Sequence, residues 1–318
     1  MKKIAAIFAL ALLVGACGNK KEKTETANND TVSMSGTIKV DGSSTVFPIT
    51  EAVAEEFRSV QPKVKVTIGV SGTGGGFKKF SRGETNLSNA SRPIKDKEKA
   101  ACAENNITYL ELEVAYDGLA VLVNPENDWV DSFTVEELKM IWEPAAQGNI
   151  MRWSQIRSEW PNEEIHLFGP GVASGTYDYF TEAIVGKSGS SRGDFTASED
   201  DHVLVQGIAG DKYSLGFFGL AYYAENKDKL TLIGVHNGTE VVKPTLETVS
   251  SGTYRPLSRP LFIYVNSTSV KSPEVVEFVN YYLDNAGDLS TDVGYIPLPK
   301  ELYVKQKNSF KTFVESNK

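Results

Sequence analysis

Strand-like and helix-like patterns alternate along most of the chain, and this alternation restricts the fold more than any other feature. Ile38 and Val40 alternate with polar neighbours, as residues of a half-buried strand do. Further strands are predicted where apolar residues run together, in VKVTIGV, AYDGLAVLVN, IHLFGP and PLFIYVN. Between them, Pro48 suits the first turn of a helix, and Thr134 and Glu137 have the spacing of a capping box. Such alternation predicts an α/β protein with parallel sheets.

The N-terminus carries the pattern of an export signal. Two lysines precede an apolar run over residues 4–14, which is shorter than the about 20 apolar residues of a membrane-spanning helix. Small residues then lead to Cys17, as in a bacterial lipobox. We expect a signal peptide over residues 1–16, a lipid on Cys17 and a flexible polar tether over residues 17–35. The alternative is an ordinary signal peptide with an incidental cysteine.

Charge and cysteine content exclude several classes of protein. Without Lys2 and Lys3, 31 of the 33 lysines and arginines remain against 41 acidic residues. Because nucleic acids recruit basic surfaces, a nucleic acid partner is not expected. Cys102 is the one cysteine besides Cys17, so no disulfide within the mature chain is predicted, and the role of Cys102 stays open. The remaining chain of about 300 residues is long enough for two domains.

Three stretches share one local design, in which a strand leads through a turn rich in Gly, Ser and Thr into a helix. They are GSSTVFPI (42–49), SGTGGGFKKF (71–80) and GPGVASGTYDYF (169–180). We call them the first, second and third loops, and in the second loop the helix is expected from Gly76 onward. The N–H groups of a helix N-terminus hold anions readily, and glycine lets the backbone approach closely. One such stretch is an ordinary capped turn, whereas three in one chain favour an anion-binding site.

The spacing of the glycines argues against a nucleotide. A Walker loop requires Gly-Lys, but Phe77 stands between Gly76 and Lys78. A dinucleotide fingerprint counted from Gly72 and Gly74 would place its third glycine on Phe77. The second loop therefore favours a small anion, with a plain turn as the alternative.

No catalytic, metal or cofactor site is predicted, and we expect a protein without enzyme activity. Ser174 lacks the G-x-S-x-G pattern of a hydrolase nucleophile. The histidines are scattered without the spacing of a metal site or a catalytic triad; they are His166, His202 and His236.

A specific resemblance emerges from the loops taken together. DGSSTVFPI, SGTGGGFKKF, NASRPI and ASGTYDYF, in this order behind a lipobox, resemble the phosphate-binding lipoproteins of bacterial phosphate ABC importers. The resemblance implies a two-lobed, type II periplasmic-binding-protein-like α/β fold with two hinge crossover strands, near AYDGLAVLVN and RPLFIYVN. Lobe one is then expected over 36–115 plus 256–318, and lobe two over 116–255.

The same resemblance implies a phosphate site that closes between the lobes. The first and second loops would lie on lobe one and the third on lobe two, so that phosphate is clamped as the lobes close. The residues carried over are Ser44, Thr45 and the Val46 N–H from the first loop, Thr73 and Ser71 from the second, and Ser174, the Gly175 N–H and Thr176 from the third.

Two positions depart from the best-known branch of this family. That branch has an aspartate where this chain has Arg92, and an arginine where it has Pro170. We expect Arg92 to contact phosphate, with a surface or hinge salt bridge as the alternative. How phosphate is told from sulfate is then open. Our hypothesis is that Asp178 supplies the missing acceptor or holds Arg92; the alternative is a solvated aspartate at a helix start.

The function implied is that of a monomeric, extracytoplasmic lipoprotein that captures inorganic phosphate and delivers it to the membrane permease of an ABC importer. The protein would be anchored in the cell envelope, on the periplasmic or cell-surface face of a membrane, and neither the affinity nor the choice of membrane is predicted. A receptor for sulfate, molybdate or arsenate is the alternative, and a secreted phosphatase a more distant one.

Overall fold

A computed structural model describes residues 34–172, 174–198 and 200–317. The predicted signal peptide and the predicted lipidation site at Cys17 lie outside the described residues.

The strands of the described chain and their bounds are as follows. They are β1 (Gly36–Gly42), β2 (Val64–Val70), β3 (Leu87–Ala90), β4 (Tyr109–Val123), β5 (Ser132–Phe133), β6 (His166–Pro170), β7 (Thr196–Ser198), β8 (Ser214–Gly219), β9 (Thr231–His236), β10 (Val241–Val242), β11 (Ser258–Asn266) and β12 (Ile296–Pro297).

The helices lie between these strands and after the last of them. They are α1 (Phe47–Val60), α2 (Gly72–Phe80), α3 (Asp96–Glu104), α4 (Val135–Trp142), α5 (Gly175–Phe180), α6 (Asp201–Ala209), α7 (Leu220–Ala224), α8 (Leu246–Ser250), α9 (Pro273–Asp292) and α10 (Lys300–Asn317). A π-helical turn, Thr181–Val185, continues α5.

The strands follow the order β2-β1-β3-β11-β4-β8-β6-β7, and β4 passes from one part of the sheet into the other. Its first part pairs antiparallel with β11, and its last five residues pair antiparallel with β8. Along this order, parallel pairing occurs on the flanks, where β2, β1 and β3 run together and so do β8, β6 and β7. The short β5 also pairs in parallel with β9, which lies off this order. The expectation of parallel sheets is therefore right for the flanks and wrong for the centre, because β4 and β11 run between the two parts in opposite directions.

Two large apolar cores lie on the two parts of this sheet. In the first core, Phe57 of α1 meets the ring of Phe278 of α9 edge to face, with 5.2 Å between the ring centroids. In the second core, Trp142 packs against Phe180 and Phe217. Each core buries several aromatic side chains, which contribute the largest apolar areas per residue. The lobe bounds given above stay a prediction.

Local sequence signals account for several helix starts. Pro48 lies in the first turn of α1, as predicted. The predicted capping box of α4 is confirmed, since the Glu137 N–H donates to Thr134 Oγ1 at 3.1 Å and the Thr134 N–H donates to Glu137 Oε2 at 2.8 Å. This exchange satisfies two N–H groups that would otherwise lack partners at the helix start.

The glycines of the second loop lie inside a helix rather than before one. The helix α2 begins at Gly72, which has a φ of +72°, and not at Gly76 as predicted. A Cβ on Gly76 would lie 2.6 Å from Gly42 Cα and 3.0 Å from the Asp41 carbonyl oxygen of β1. The bare backbone at Gly76 thus lets α2 pack directly on β1, which sets the position of the residues at the start of α2.

We predict that Gly76→Ala destabilises the protein by about 1–3 kcal/mol, because the added methyl group would meet backbone atoms that have no room to move. Urea unfolding followed by circular dichroism measures this difference. Gly287→Ala in α9 is the matched control, since its Cβ would lie 3.4 Å from the nearest atom, an ordinary contact. A Gly76→Ala variant as stable as the Gly287→Ala variant would contradict the proposed packing.

Candidate functional site

A small polar cavity lies where the three loops meet β11. Its volume is about 300 Å³, at the small end of ligand-binding cavities. Five of the predicted site residues line it: Ser44, Thr45, Thr73, Arg92 and Asp178. The other lining residues are Ser43, Gly72, Gly74, Ser91, Lys95, Tyr179, Glu182, Ser188 and Arg259. The structure therefore brings all three loops to one place.

The first and third loops touch each other at the cavity. Ser44 Oγ donates to Asp178 Oδ2 at 3.4 Å, and Thr45 Oγ1 donates to the Gly175 carbonyl oxygen at 3.5 Å. A Cβ on Gly175 would lie 2.8 Å from Thr45 Cα, so glycine is required for this approach. Both hydrogen bonds are longer than the usual 2.7–2.8 Å of hydroxyl donors and are correspondingly weak.

The remaining third-loop residues form the start of α5. Ser174 caps this helix, and its Oγ accepts from the Thr176 N–H at 3.1 Å. Ser174, Gly175 and Thr176 adjoin the cavity residue Asp178 in sequence but are not among the side chains that line the cavity. Their predicted role in anion binding stays a prediction.

The second loop contributes Thr73 and not Ser71. Thr73 Oγ1 lies 3.1 Å from Ser91 Oγ and accepts from the Ser91 N–H at 3.2 Å. Ser71 Oγ instead donates to Asp41, outside the cavity lining. Burial alone would raise the pKa of Asp41, but hydrogen bonds from Lys79 and Ser71 hold it below its usual range. Ser71 is thereby tied to an ionised carboxylate of its own.

The side chain of Val46 belongs to the first core and is fully buried. A contact with a ligand could come only from its main chain, which is buried as well. The predicted role of the Val46 N–H therefore stays a prediction.

Arg92 lines the cavity and also forms a salt bridge, and its predicted contact with phosphate stays a prediction. Its Nη1 and Nη2 donate to the two carboxylate oxygens of Glu98 at 2.9 and 2.8 Å, and Nη1 also donates to the Pro93 carbonyl oxygen. Its guanidinium lies 5.6 Å from the centroid of the Phe77 ring. Among the described residues, no acceptor lies within hydrogen-bond distance of Nε or of the second Nη2 proton. These two N–H groups form one edge of the guanidinium, the edge that can take two oxygens of an anion.

Glu98, and not Asp178, holds Arg92. Glu98 is buried, and burial would raise the pKa of its carboxyl. The hydrogen bonds from Arg92 and from the Lys95 N–H outweigh this effect and place the pKa of Glu98 below its usual range. Asp178 accepts instead from Ser44 and, at 3.0 Å, from Ser188. It therefore lies in the cavity as a carboxylate acceptor that can also face a ligand.

Arg259 is one of the cavity residues that sequence reasoning missed. It lies on β11 opposite Asp117 of β4, and its Nη2 donates to Thr45 Oγ1 at 3.0 Å. Its guanidinium carbon lies 3.5 Å from the centroid of the Tyr179 ring. The position of Arg259 at the start of a predicted crossover strand was a sign that it could lie near the site. The strand register that places it beside Asp117 cannot be read from one sequence.

Comparison with known proteins places the chain beside relatives that match most of its length. A family model described as a PBP superfamily domain matches residues 24–286. Protein SphX of Synechocystis is 53% identical over 277 residues, which cover 87% of this chain and 82% of SphX. The phosphate-binding protein PstS of Staphylococcus saprophyticus is 39% identical over 302 residues, which cover 94% of this chain and 90% of PstS.

Solved structures agree with this placement and with the predicted fold class. The crystal structure of a possible phosphate-binding protein from Planctomyces limnophilus superposes with a TM-score of 0.85 at 47% identity, covering 88% of this chain and 99% of the other. An ABC-type phosphate transport receptor from Vibrio cholerae shares the fold, with a TM-score of 0.61 at 22% identity over 83% of this chain and 100% of the receptor.

We predict that Glu98→Gln lowers the free energy of unfolding by about 1–3 kcal/mol at neutral pH, because Arg92 loses its charged partner in a mostly buried position. The pKa of Glu98 is lower in the folded than in the unfolded protein, so ionised Glu98 stabilises the fold. This stabilisation is fully present above the unfolded-state pKa of about 4.3 and is lost as the pH falls through the lower folded-state pKa. Urea unfolding across the acid range measures both effects.

The matched control for Glu98→Gln is Glu84→Gln, which removes the partner of Arg82 in a half-exposed pair. This control should change stability much less, since solvent screens exposed pairs. A Glu98→Gln variant whose deficit stays constant as the pH falls would contradict the assignment of Glu98 as an ionised partner of Arg92.

Proposed function

The chain belongs to the PBP superfamily, and on this premise we propose that it is a binding protein that captures inorganic phosphate and delivers it to the membrane permease of an ABC importer. The observation that carries the proposal is the meeting of all three loops at one small polar cavity. Relatives that share more than a third of the sequence over nearly its whole length are named phosphate-binding proteins.

The chemistry of the cavity suits a tetrahedral oxyanion. Its lining combines hydroxyl groups with the open edge of Arg92, all of which donate hydrogen bonds to anionic oxygens. The weak contacts of Ser44 and Thr45 across the cavity can be exchanged for stronger ones to an anion. Micromolar binding requires about 8 kcal/mol. Hydrogen bonds to a charged group contribute about 1.5–3 kcal/mol each, so a handful of them is sufficient.

Discrimination between phosphate and sulfate is proposed to rest on Asp178. At neutral pH phosphate retains a proton and sulfate does not, so only phosphate can donate a hydrogen bond to a carboxylate. Asp178 lines the cavity, and its two carboxylate oxygens accept hydrogen bonds from the Ser44 and Ser188 hydroxyl groups. A phosphate hydroxyl could replace either of these donors. For sulfate the same carboxylate would be a like charge at close range, which is unfavourable.

Capture and release are proposed to follow from movement of the two lobes about β4 and β11. The two large cores pack on different parts of the sheet, and β4 contributes to both. The first and third loops meet across the cavity, so an anion that binds both would favour the closed arrangement. No bond is made or broken in this cycle.

The proposed location is the outer side of a membrane, with a lipid on Cys17 as anchor and residues 17–35 as tether. The export signal and the lipobox in the sequence support this proposal. In the part of the chain that the structure describes, no helix is both long and apolar enough to span a membrane.

We predict that the protein binds phosphate with micromolar or lower Kd and binds sulfate and molybdate much more weakly. In Asp178→Asn, the ratio of the sulfate Kd to the phosphate Kd should fall by about tenfold or more, because the amide no longer repels sulfate and can donate a hydrogen bond to it. Isothermal titration calorimetry with each anion measures this.

The matched control for Asp178→Asn is Asp211→Asn, which alters an aspartate that pairs with His166 outside the cavity. Equal heats and affinities for phosphate and sulfate in the wild-type protein would contradict the phosphate assignment in favour of a general oxyanion receptor. Turnover of a chromogenic phosphate ester would point instead to a phosphatase.

A further inference from the structure

A buried ion pair joins the two central strands at the edge of the cavity. Arg259 of β11 lies opposite Asp117 of β4, and its Nε and Nη2 both lie 3.4 Å from Asp117 Oδ2. Asp117 is 3% exposed. Burial raises the pKa of Asp117, and Arg259 beside it favours the ionised carboxylate, so pairing with Asp117 is the first role of Arg259.

The position of the Arg259 guanidinium is fixed by two further contacts. Its face covers the ring of Tyr179, and the Tyr179 hydroxyl donates to the Pro256 carbonyl oxygen at 2.7 Å. Its Nη2 donates to Thr45, which in turn donates to the Gly175 carbonyl oxygen. Arg259 is therefore connected to both the first and the third loop, with little freedom to turn.

Besides its pairing with Asp117, Arg259 keeps one nitrogen, Nη1, that makes no hydrogen bond to the described residues and lies at ion-pair distance from the exposed Glu182. Of the residues that the structure describes, none places an acceptor within hydrogen-bond distance of Nη1, and the nearest carboxylate oxygen, Glu182 Oε2, lies 3.8 Å away. Arg259 lines the cavity, and its side chain is 14% exposed. Two strong donors on Nη1 are thus available in a confined polar space, where donors without acceptors are costly.

Arg92 has the same arrangement on another wall of the cavity. One part of its guanidinium is held by the buried Glu98, and the Nε–Nη2 edge has no acceptor among the described residues. Each arginine is thus paired with a buried carboxylate, Arg259 also lies near the exposed Glu182, and each arginine keeps N–H donors for a further anion. This repetition distinguishes Arg259 from an arginine that serves only to neutralise a buried acid.

We propose that Arg259 is a second anion-contacting arginine of this cavity, and that its Nη1 group donates to the bound oxyanion while Asp117 holds the opposite edge. This inference rests on the proposed function, since the anion is taken to be phosphate. Because Arg259 lies on a central strand and contacts both loops, its bond to the anion also ties the ligand to the strands about which the lobes move.

The test compares charge-neutral replacements of two arginine–carboxylate pairs. Arg259→Gln alone would leave Asp117 as a buried unpaired charge, so it is combined with Asp117→Asn to preserve folding. The matched control combines Arg157→Gln with Glu137→Gln, because Arg157 is also paired with a carboxylate and covers an aromatic ring, that of Trp160, outside the cavity. Phosphate binding is measured by calorimetry, and the unfolding midpoint without phosphate is measured on the same samples.

The double variant at 259 and 117 is expected to bind phosphate about 10- to 100-fold more weakly than the wild type, and the control double variant as tightly as the wild type. The phosphate affinity of the double variant at 259 and 117 should also increase less than that of the wild type as the pH rises through the second ionisation of phosphate. The reason is that this variant has one cation fewer to meet the second negative charge of the anion. The single variant Arg259→Lys should bind phosphate more tightly than the double variant at 259 and 117 but more weakly than the wild type. One ammonium group cannot hold Asp117 and the anion at the same time as a guanidinium does.

A folded double variant at 259 and 117 that binds phosphate within about twofold of the wild type would overturn this inference alone. A wild-type protein that takes up no phosphate would overturn the proposed function and this inference together.

Discussion

The antiparallel pairing of β4 with β11 is the constraint on which the rest of the structure depends. It joins the two parts of the sheet, and β4 supplies residues to both large cores. The same register sets Arg259 opposite Asp117 at the edge of the cavity. Strand pairing, core formation and the placement of a charged group in the site therefore depend on a single set of backbone hydrogen bonds.

Local patterns in the sequence were sufficient to predict the elements that build the site. The alternation at Ile38 and Val40 gave β1, and Pro48 marked the start of α1. The Gly, Ser and Thr content of the three loops favoured an anion site, and the resemblance that they carry implied that they meet; the cavity contains residues from each. The start of α2 was misplaced at Gly76, because the packing of that glycine against β1 is a tertiary contact without a local signal.

The charged partners of the arginines were beyond such reasoning for two different reasons. Glu98 is six residues from Arg92, but it lies on α3, whose charged sequence DKEKAACAE has no clear apolar face to indicate a helix. Asp117 and Arg259 are separated by 142 residues, and only the register of β4 and β11 brings them together. Hydroxyl and glycine motifs identify the loops of an anion site, whereas the balance of buried charge around it is decided by the fold.

A crystal structure of the protein with phosphate tests the central claim most directly. The account predicts one phosphate in the cavity, with hydrogen bonds from the first and third loops and from both Arg92 and Arg259. A phosphate bound elsewhere, or one held by a single loop with both arginines turned away, would contradict it.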